Sequence, residues 1–147
     1  LPTEKKTSIV HGDYSLTNVM IGKDDPNVIA ILDWELSTLG DPCADFNYHC
    51  LQYTMNPKLA DKDYCISKGI PIIEDYVQMY SEKIEIDLTE EWDLYSAYNL
   101  FKLAGILQGI LGRVRDGTAA NQNAAERASG VKNLSDTAWD LVQKNFL

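Results

Sequence analysis

The feature that most constrains the fold is a pair of short apolar runs separated by a turn-rich connector. The runs cover residues 19–21 and 28–32, the predicted strands cover 18–21 and 28–32, and the connector between them reads G-K-D-D-P-N. β-branched and apolar runs on either side of Gly, Asp, Pro and Asn are typical of a β-hairpin. Because a hairpin returns the chain to its starting point, it brings Asp33, just after the second run, back beside Asn18.

The rest of the chain is predicted to be mostly helical, which together with the hairpin indicates an α+β fold. An earlier apolar strand covers residues 7–11. Asp41 followed by Pro42 is typical of a helix N-cap and first helical position, and this helix is expected to end at residue 51 or 53. Further patterns predict a polar loop at 56–69, a helix over 71–84, a helix over 90–115 capped by Thr89, and a last helix capped by Ser135.

Charge and composition exclude several classes of function. The chain has 22 acidic and 13 basic residues and a formal net charge of −9, which argues against a nucleic-acid binder and against a polybasic membrane-surface module. No apolar run approaches the roughly 20 residues of a membrane span, and no targeting signal is recognisable in the chain. The three cysteines cannot all pair within the chain and lack metal-binding spacing, which is typical of reduced thiols in an intracellular compartment. We therefore expect an intracellular protein of the cytoplasm or an organellar matrix.

Three polar side chains follow the predicted strands at a spacing that indicates chemistry. Asp13 lies after the first strand, Asn18 follows five residues later, and Asp33 ends the hairpin. Oxygen ligands of this kind suit Mg²⁺, which also binds phosphate oxygens. The pattern matches the protein-kinase template, in which an Asp is the catalytic residue and a later Asn and Asp bind metal. It assigns Asp13 to the catalytic position and Asn18 and Asp33 to the metal.

Two departures from protein kinases point to a more specific resemblance. Gly12 replaces the Arg of H-R-D, and Trp34-Glu35 replaces Phe-Gly. The combination H-G-D-x-x-x-x-N with I-L-D-W-E resembles the aminoglycoside phosphotransferase family, which has the kinase fold and phosphorylates small molecules. The segments D-W-E-L-S-T-L-G-D-P-C-A-D and F-K-L-A-G-I-L-Q-G-I resemble the subgroup found alone or fused to acyl-CoA dehydrogenase domains. The likeness runs from about residue 9 to residue 127.

The resemblance implies a role for each site residue. Asp13 would be the catalytic base, and Asn18 and Asp33 would bind Mg²⁺, with ATP as co-substrate. Supporting roles are expected for three residues: His11 packs under the loop in preference to acting as a general base, Asp41 caps its helix, and Asp45 braces the catalytic loop through backbone N–H groups. Arg113 is a candidate contact for an anionic group of a hydroxy acid or acyl-CoA substrate.

The resemblance also predicts a partner lobe. Kinase-like enzymes bind ATP between two lobes, and the small lobe supplies a phosphate-covering loop and a strand Lys. Neither is recognisable before His11. We therefore expect residues 1–147 to form the large, C-terminal lobe alone, without the N-terminal ATP-binding lobe, and the isolated chain to be inactive.

Three functions are compatible with these residues. The first is an ATP- and Mg²⁺-dependent kinase that phosphorylates a hydroxyl of a small molecule, such as a hydroxy acid, an acyl-CoA or an aminoglycoside-like compound. The second is a kinase-like binding module without turnover. The third, a phosphatase of the haloacid dehalogenase type, needs a D-x-D arrangement, whereas Ser15 and Glu35 stand two residues after Asp13 and Asp33.

Overall fold

The fold is that of a computed structural model, which describes residues 6–119 and 124–147. The chain divides into two compact units, Leu1–Trp92 and Asp93–Leu147. The first unit holds every strand of the described residues and the predicted site residues other than Arg113.

Four strands form two small antiparallel sheets in the first unit. The predicted hairpin is confirmed, with Val19 opposite Ile31, whereas the pairing of the first strand with a later one was not predicted. That later strand has only three residues and two of them are exposed, so it lacks the alternation that indicates a strand. The strands are β1 (Ser8–Val10), β2 (Val19–Ile21), β3 (Val28–Ile31) and β4 (Thr38–Gly40), and β1 pairs with β4.

The first three α-helices of the first unit begin at side-chain caps. Asp41 Oδ1 accepts a hydrogen bond from the Cys43 N–H at 2.8 Å, which confirms the predicted cap. The predicted polar loop at 56–69 is wrong, because Asn56 and Asp61 each cap a further short helix. Helices of four and six residues are too short to show a helical period in the sequence. The helices are α1 (Pro42–Met55), α2 (Pro57–Ala60), α3 (Lys62–Ser67) and α4 (Ile73–Ile84).

Aromatic packing joins α1 to α4. The Phe46 ring of α1 stacks on the Tyr80 ring of α4, with centroids 3.8 Å apart, and meets the Tyr76 ring edge-on at 5.2 Å. Phe46 is almost fully buried. Burial of such rings stabilises the contact by apolar area and ring geometry together. This packing fixes the position of α1 against α4.

The helices of the second unit begin elsewhere than predicted. They are α5 (Trp92–Arg115), α6 (Ala124–Arg127) and α7 (Val131–Phe146). Thr89 does not cap α5; its hydroxyl donates to Asp87 Oδ1 at 2.6 Å. Ser135 lies inside α7 and donates to the Val131 carbonyl at 3.0 Å. Ser and Thr satisfy nearby backbone or carboxylate groups in several local settings, so they mark a cap ambiguously.

The described helices contain no candidate for a membrane span, since none combines sufficient length with sufficient apolar character.

Replacing the cap of α1 is expected to lower stability. Asp41→Ala removes the acceptor for the Cys43 N–H and should reduce the free energy of unfolding by about 1 kcal/mol. Urea titration measures this. Asp140→Ala, on an exposed position inside α7, is the control for loss of one carboxylate. Equal losses in the two variants would contradict a capping role for Asp41.

Candidate active site

The loop after β1 is held closed by hydrogen bonds between its own ends. The Asn18 amide Nδ2 donates to the Asp13 carbonyl at 3.0 Å and lies 3.4 Å from Asp13 Oδ2. Both partners are acceptors, so the nitrogen of the amide must face Asp13. The amide oxygen of Asn18 is then the atom that can face a cation.

The hairpin places Asp33 next to Asn18. The Leu32 N–H donates to the Asn18 carbonyl at 2.8 Å, which extends the β2–β3 pairing by one step. Asp33 follows in the left-handed region, with φ 63° and ψ 55°, and its side chain makes no capping hydrogen bond to the short 3₁₀ helix that follows, Trp34–Leu36. Such a conformation is uncommon outside glycine and is concentrated at functional sites. The structure thus brings Asp13, Asn18 and Asp33 to one end of the hairpin, as the spacing predicted.

His11 links the loop to the chain just before Asp33. It is only 2% exposed, and its Nε2 lies 2.7 Å from the Leu32 carbonyl while its Nδ1 accepts from the Asp13 N–H at 3.3 Å. A carbonyl can only accept and an N–H can only donate. The ring therefore carries its proton on Nε2 and leaves Nδ1 as an acceptor. With both nitrogens engaged, the His11 ring cannot also serve as a general base in this arrangement.

Asp45 of α1 holds the start of the same loop. Its Oδ2 accepts from the His11 N–H at 2.6 Å and its Oδ1 from the Gly12 N–H at 3.0 Å. These are the backbone contacts expected of Asp45 from the sequence. Hydrogen bonds to a charged acceptor are stronger than those between neutral groups. One carboxylate therefore fastens the two residues before Asp13 to a packed helix.

Gly12 has two reasons to be glycine. Its φ is +83°, and a Cβ built there would lie 2.4 Å from the Leu36 carbonyl oxygen. The backbone of the loop after β1 thus lies directly against the 3₁₀ helix that follows Asp33. An Arg at this position, as in the protein-kinase motif, does not fit this backbone.

Tyr48 is a site residue that the sequence reasoning missed. It lies one helical turn after Asp45 on α1, and its hydroxyl is hydrogen-bonded to the Asp13 carboxylate. Burial, the negative charge of Asp13 and this hydrogen bond together raise the pKa of Tyr48 to about 12. The hydroxyl therefore stays protonated near neutral pH and acts as a donor. The i, i+3 spacing from Asp45 was the available signal, since such residues share a helix face.

The oxygen donors of these residues fit a hard divalent cation whose remaining coordination positions are filled by water and phosphate oxygens. The described residues contain no group of three or more His, Cys, Asp and Glu side chains suited to a metal ion. The site offers instead the Asn18 amide and the Asp13 carboxylate, which are in contact, and the carboxylate of Asp33, the residue after the Leu32 that pairs with Asn18. Mg²⁺ is typically bound by one or two carboxylates, with waters and substrate phosphates completing its coordination.

The neighbouring Cys50 and His49 are not suited to act as a nucleophile pair, and Arg113 belongs to the second unit. Burial raises the pKa of the Cys50 thiol and lowers that of the neighbouring His49 imidazole, so neither is in the charged form that a thiolate–imidazolium pair requires. Arg113 is exposed in the last turn of α5, in the second unit. Its contact with a substrate remains a prediction.

The chain is similar in sequence to a known protein family and to larger known proteins. The sequence profile described as "phosphotransferase enzyme family" matches residues 1–98. The chain is 37% identical to acyl-CoA dehydrogenase family member 10 of Mus musculus and 31% identical to family member 11 of Homo sapiens, over 98% and 97% of its own length. These alignments span only 14% and 19% of the two relatives, so the chain corresponds to less than a fifth of each.

A solved structure supports the same relationship. A crystal structure from Ralstonia eutropha JMP134, described as an aminoglycoside phosphotransferase, superposes with a TM-score of 0.87 at 39% identity. The match covers 96% of this chain and 44% of that one. It confirms the predicted kinase-like fold, which is mainly helical with small two-stranded sheets.

Adding a methyl group at Gly12 is expected to disrupt the site. Gly12→Ala and Gly69→Ala both place an L-residue at positive φ, but only Gly12 has a backbone oxygen in the way. Gly12→Ala should therefore cost about 1 to 3 kcal/mol more of unfolding free energy than Gly69→Ala. Urea titration of both variants measures the difference. Equal losses would show that the contact with Leu36 is not restrictive.

Proposed function

Because this chain belongs to the phosphotransferase enzyme family, we propose that it carries the catalytic and cation-binding half of an ATP- and Mg²⁺-dependent kinase. The enzyme transfers the γ-phosphoryl group of ATP to a hydroxyl of a small molecule. The observation that carries the proposal is the convergence of Asp13, Asn18 and Asp33 at one end of the hairpin. Phosphoryl transfer depends mainly on positioning and charge stabilisation, which is what such a constellation supplies.

Asp13 is the group that handles the acceptor proton. Its N–H and carbonyl are bound by His11 and Asn18, which places the residue at the end of the hairpin where the acceptor would lie. The acceptor oxygen forms a bond to the γ-phosphorus as the bond from that phosphorus to the bridging oxygen of ADP breaks. The hydroxyl proton passes to the Asp13 carboxylate. This carboxylate therefore orients the acceptor and takes its proton.

Asn18 and Asp33 are the residues that would hold Mg²⁺. Two observations support this assignment: the Asn18 amide has a fixed orientation, and the Asp33 carboxylate makes no capping hydrogen bond to the following 3₁₀ helix. When bound, the cation neutralises charge on the β- and γ-phosphates. His11, Asp41 and Asp45 support the site from behind, through the loop and the start of α1.

A second lobe completes the enzyme in this proposal. Residues 1–147 act as the C-terminal lobe, and an N-terminal lobe binds the adenine and covers the phosphates. The apolar side chains on the β2–β3 hairpin support this, since Ile21, Val28 and Ile29 are each more than half exposed. A cluster of exposed apolar residues beside a site marks a surface that another part of a protein covers.

The relatives suggest the class of acceptor. Two of them are named as acyl-CoA dehydrogenase family members, and the chain matches a small part of each. We therefore propose a hydroxy acid or acyl-CoA as acceptor, handled by a kinase domain fused to or associated with an acyl-CoA dehydrogenase domain. Arg113 would contact the anionic group of such a substrate. An aminoglycoside-like acceptor is the alternative suggested by the description of the solved structure.

The first test removes the catalytic carboxylate from the full-length protein. Asp13→Asn keeps the size of the side chain but cannot accept the proton, so transfer should fall about 100- to 10,000-fold. ATP affinity should stay nearly unchanged. ADP release, measured across a panel of hydroxylated acids, acyl-CoAs and amino sugars, reports transfer, and calorimetry reports ATP binding.

Asp24→Asn, in the exposed hairpin turn, is the matched control and should retain full transfer. Full activity in Asp13→Asn would overturn the assigned mechanism. ATP binding without any turnover by the wild-type protein would instead favour the kinase-like binding module.

A second test compares the isolated chain with the full-length protein. Residues 1–147 alone should show negligible ATP-dependent phosphorylation, because the proposal assigns the adenine and phosphate contacts of the small lobe to another part of the protein. The same ADP-release measurement applies. Turnover by the isolated chain at a rate comparable with the full-length protein would contradict the two-lobe proposal.

A further inference from the structure

The contacts within the catalytic loop leave the Asp13 carboxylate less constrained than its backbone. The Asp13 N–H and carbonyl are bound by His11 and Asn18 at 3.3 and 3.0 Å. The carboxylate receives the Asn18 amide at 3.4 Å, which is near the outer limit of a hydrogen bond. The loop by itself therefore controls where Asp13 lies better than it controls how its carboxylate is turned.

Helix α1 supplies the missing constraint. The Tyr48 hydroxyl is hydrogen-bonded to the Asp13 carboxylate from outside the loop. One turn earlier, Asp45 binds the two backbone N–H groups just before Asp13. The Asp45 hydrogen bonds thus set the distance between α1 and the loop. Tyr48 is therefore held at a fixed position relative to the Asp13 carboxylate.

A tyrosine is suited to this task. Its ring has only two rotatable side-chain bonds, so little freedom is lost when its hydroxyl is held in place. Tyr48 is half-buried, and α1 is itself packed through Phe46 against Tyr80. A carboxylate has about four acceptor positions, so one hydrogen bond leaves others for a substrate hydroxyl.

We propose that Tyr48 is a positioning residue, whose hydroxyl turns the Asp13 carboxylate so that a free lone pair meets the acceptor hydroxyl. The inference rests on the proposed kinase function and adds a residue outside the matched motifs. Tyr48 keeps its own proton throughout: the acceptor proton goes to Asp13, and the leaving group is ADP. Tyr48 donates a hydrogen bond before and after transfer and forms no bond to phosphorus.

The test is Tyr48→Phe in the full-length protein, which deletes one oxygen and keeps the ring. Steady-state ADP release is measured with Mg²⁺ and varied ATP, with water as the acceptor. Because misdirection of a reacting group lowers the rate of the chemical step, kcat should fall about tenfold. The KM for ATP should stay within about twofold of the wild-type value, since Tyr48 makes no contact with ATP in this proposal.

Tyr53→Phe is the matched control. Tyr53 lies on the same helix, and its hydroxyl donates to the Pro71 carbonyl at 2.9 Å, away from the loop. Its removal should leave kcat unchanged. Thermal unfolding midpoints of the two variants show whether the loss of a hydroxyl affects the fold equally in both.

A double-variant comparison separates positioning from general damage. If Tyr48 acts through Asp13, adding Tyr48→Phe to Asp13→Asn should cause little further loss of kcat. Multiplication of the two losses would overturn the inference, as would wild-type kcat in Tyr48→Phe or an equal loss in Tyr53→Phe. Absence of ADP release by the wild-type protein would overturn the proposed function and this inference with it. ADP release by the wild-type protein, together with an unchanged kcat in Tyr48→Phe, would overturn this inference and leave the proposed function standing.

Discussion

The site depends first on the bond between one carboxylate and two backbone amides. Asp45 accepts from the N–H groups of His11 and Gly12, and these residues carry the chain into Asp13. Without such an acceptor, two partly buried N–H groups would lack a partner, at a cost of about 1 to 3 kcal/mol each. The helix that carries Asp45 is capped by Asp41 and packed by Phe46. The packed helix thereby helps to determine the position of the loop.

A second constraint runs through the hairpin. The β2–β3 register joins Asn18 to Leu32 and so places Asp33 beside the loop, while His11 binds the Leu32 carbonyl from the other side. The two halves of the site are consequently cross-linked near a single residue, Leu32. A displacement of the hairpin would move the proposed cation ligands and the loop around Asp13 together, so the positions of these two parts relative to each other would be preserved.

Short sequence patterns predicted the parts of this arrangement that depend on interactions between residues close together in the chain. The turn-rich connector predicted the hairpin, Asp41-Pro42 predicted the start of α1, and the motif spacing predicted where Asp13, Asn18 and Asp33 would meet. Tyr48 was missed because its partner depends on how α1 is rotated against the loop, which tertiary packing decides. The short helices and the three-residue β4 were missed because so few residues carry no measurable period.

The separation of Asp45 from His11 along the chain has a kinetic consequence. The two residues are 34 positions apart, and closing a flexible loop of that size costs about 3 kcal/mol of chain entropy. The hairpin closes a much shorter loop and can form early, whereas the loop around Asp13 acquires its anchor only when α1 docks. During synthesis the proposed cation ligands Asn18 and Asp33 would therefore be brought together before the Asp13 loop is held in place. A fully aligned site would be a late product of folding.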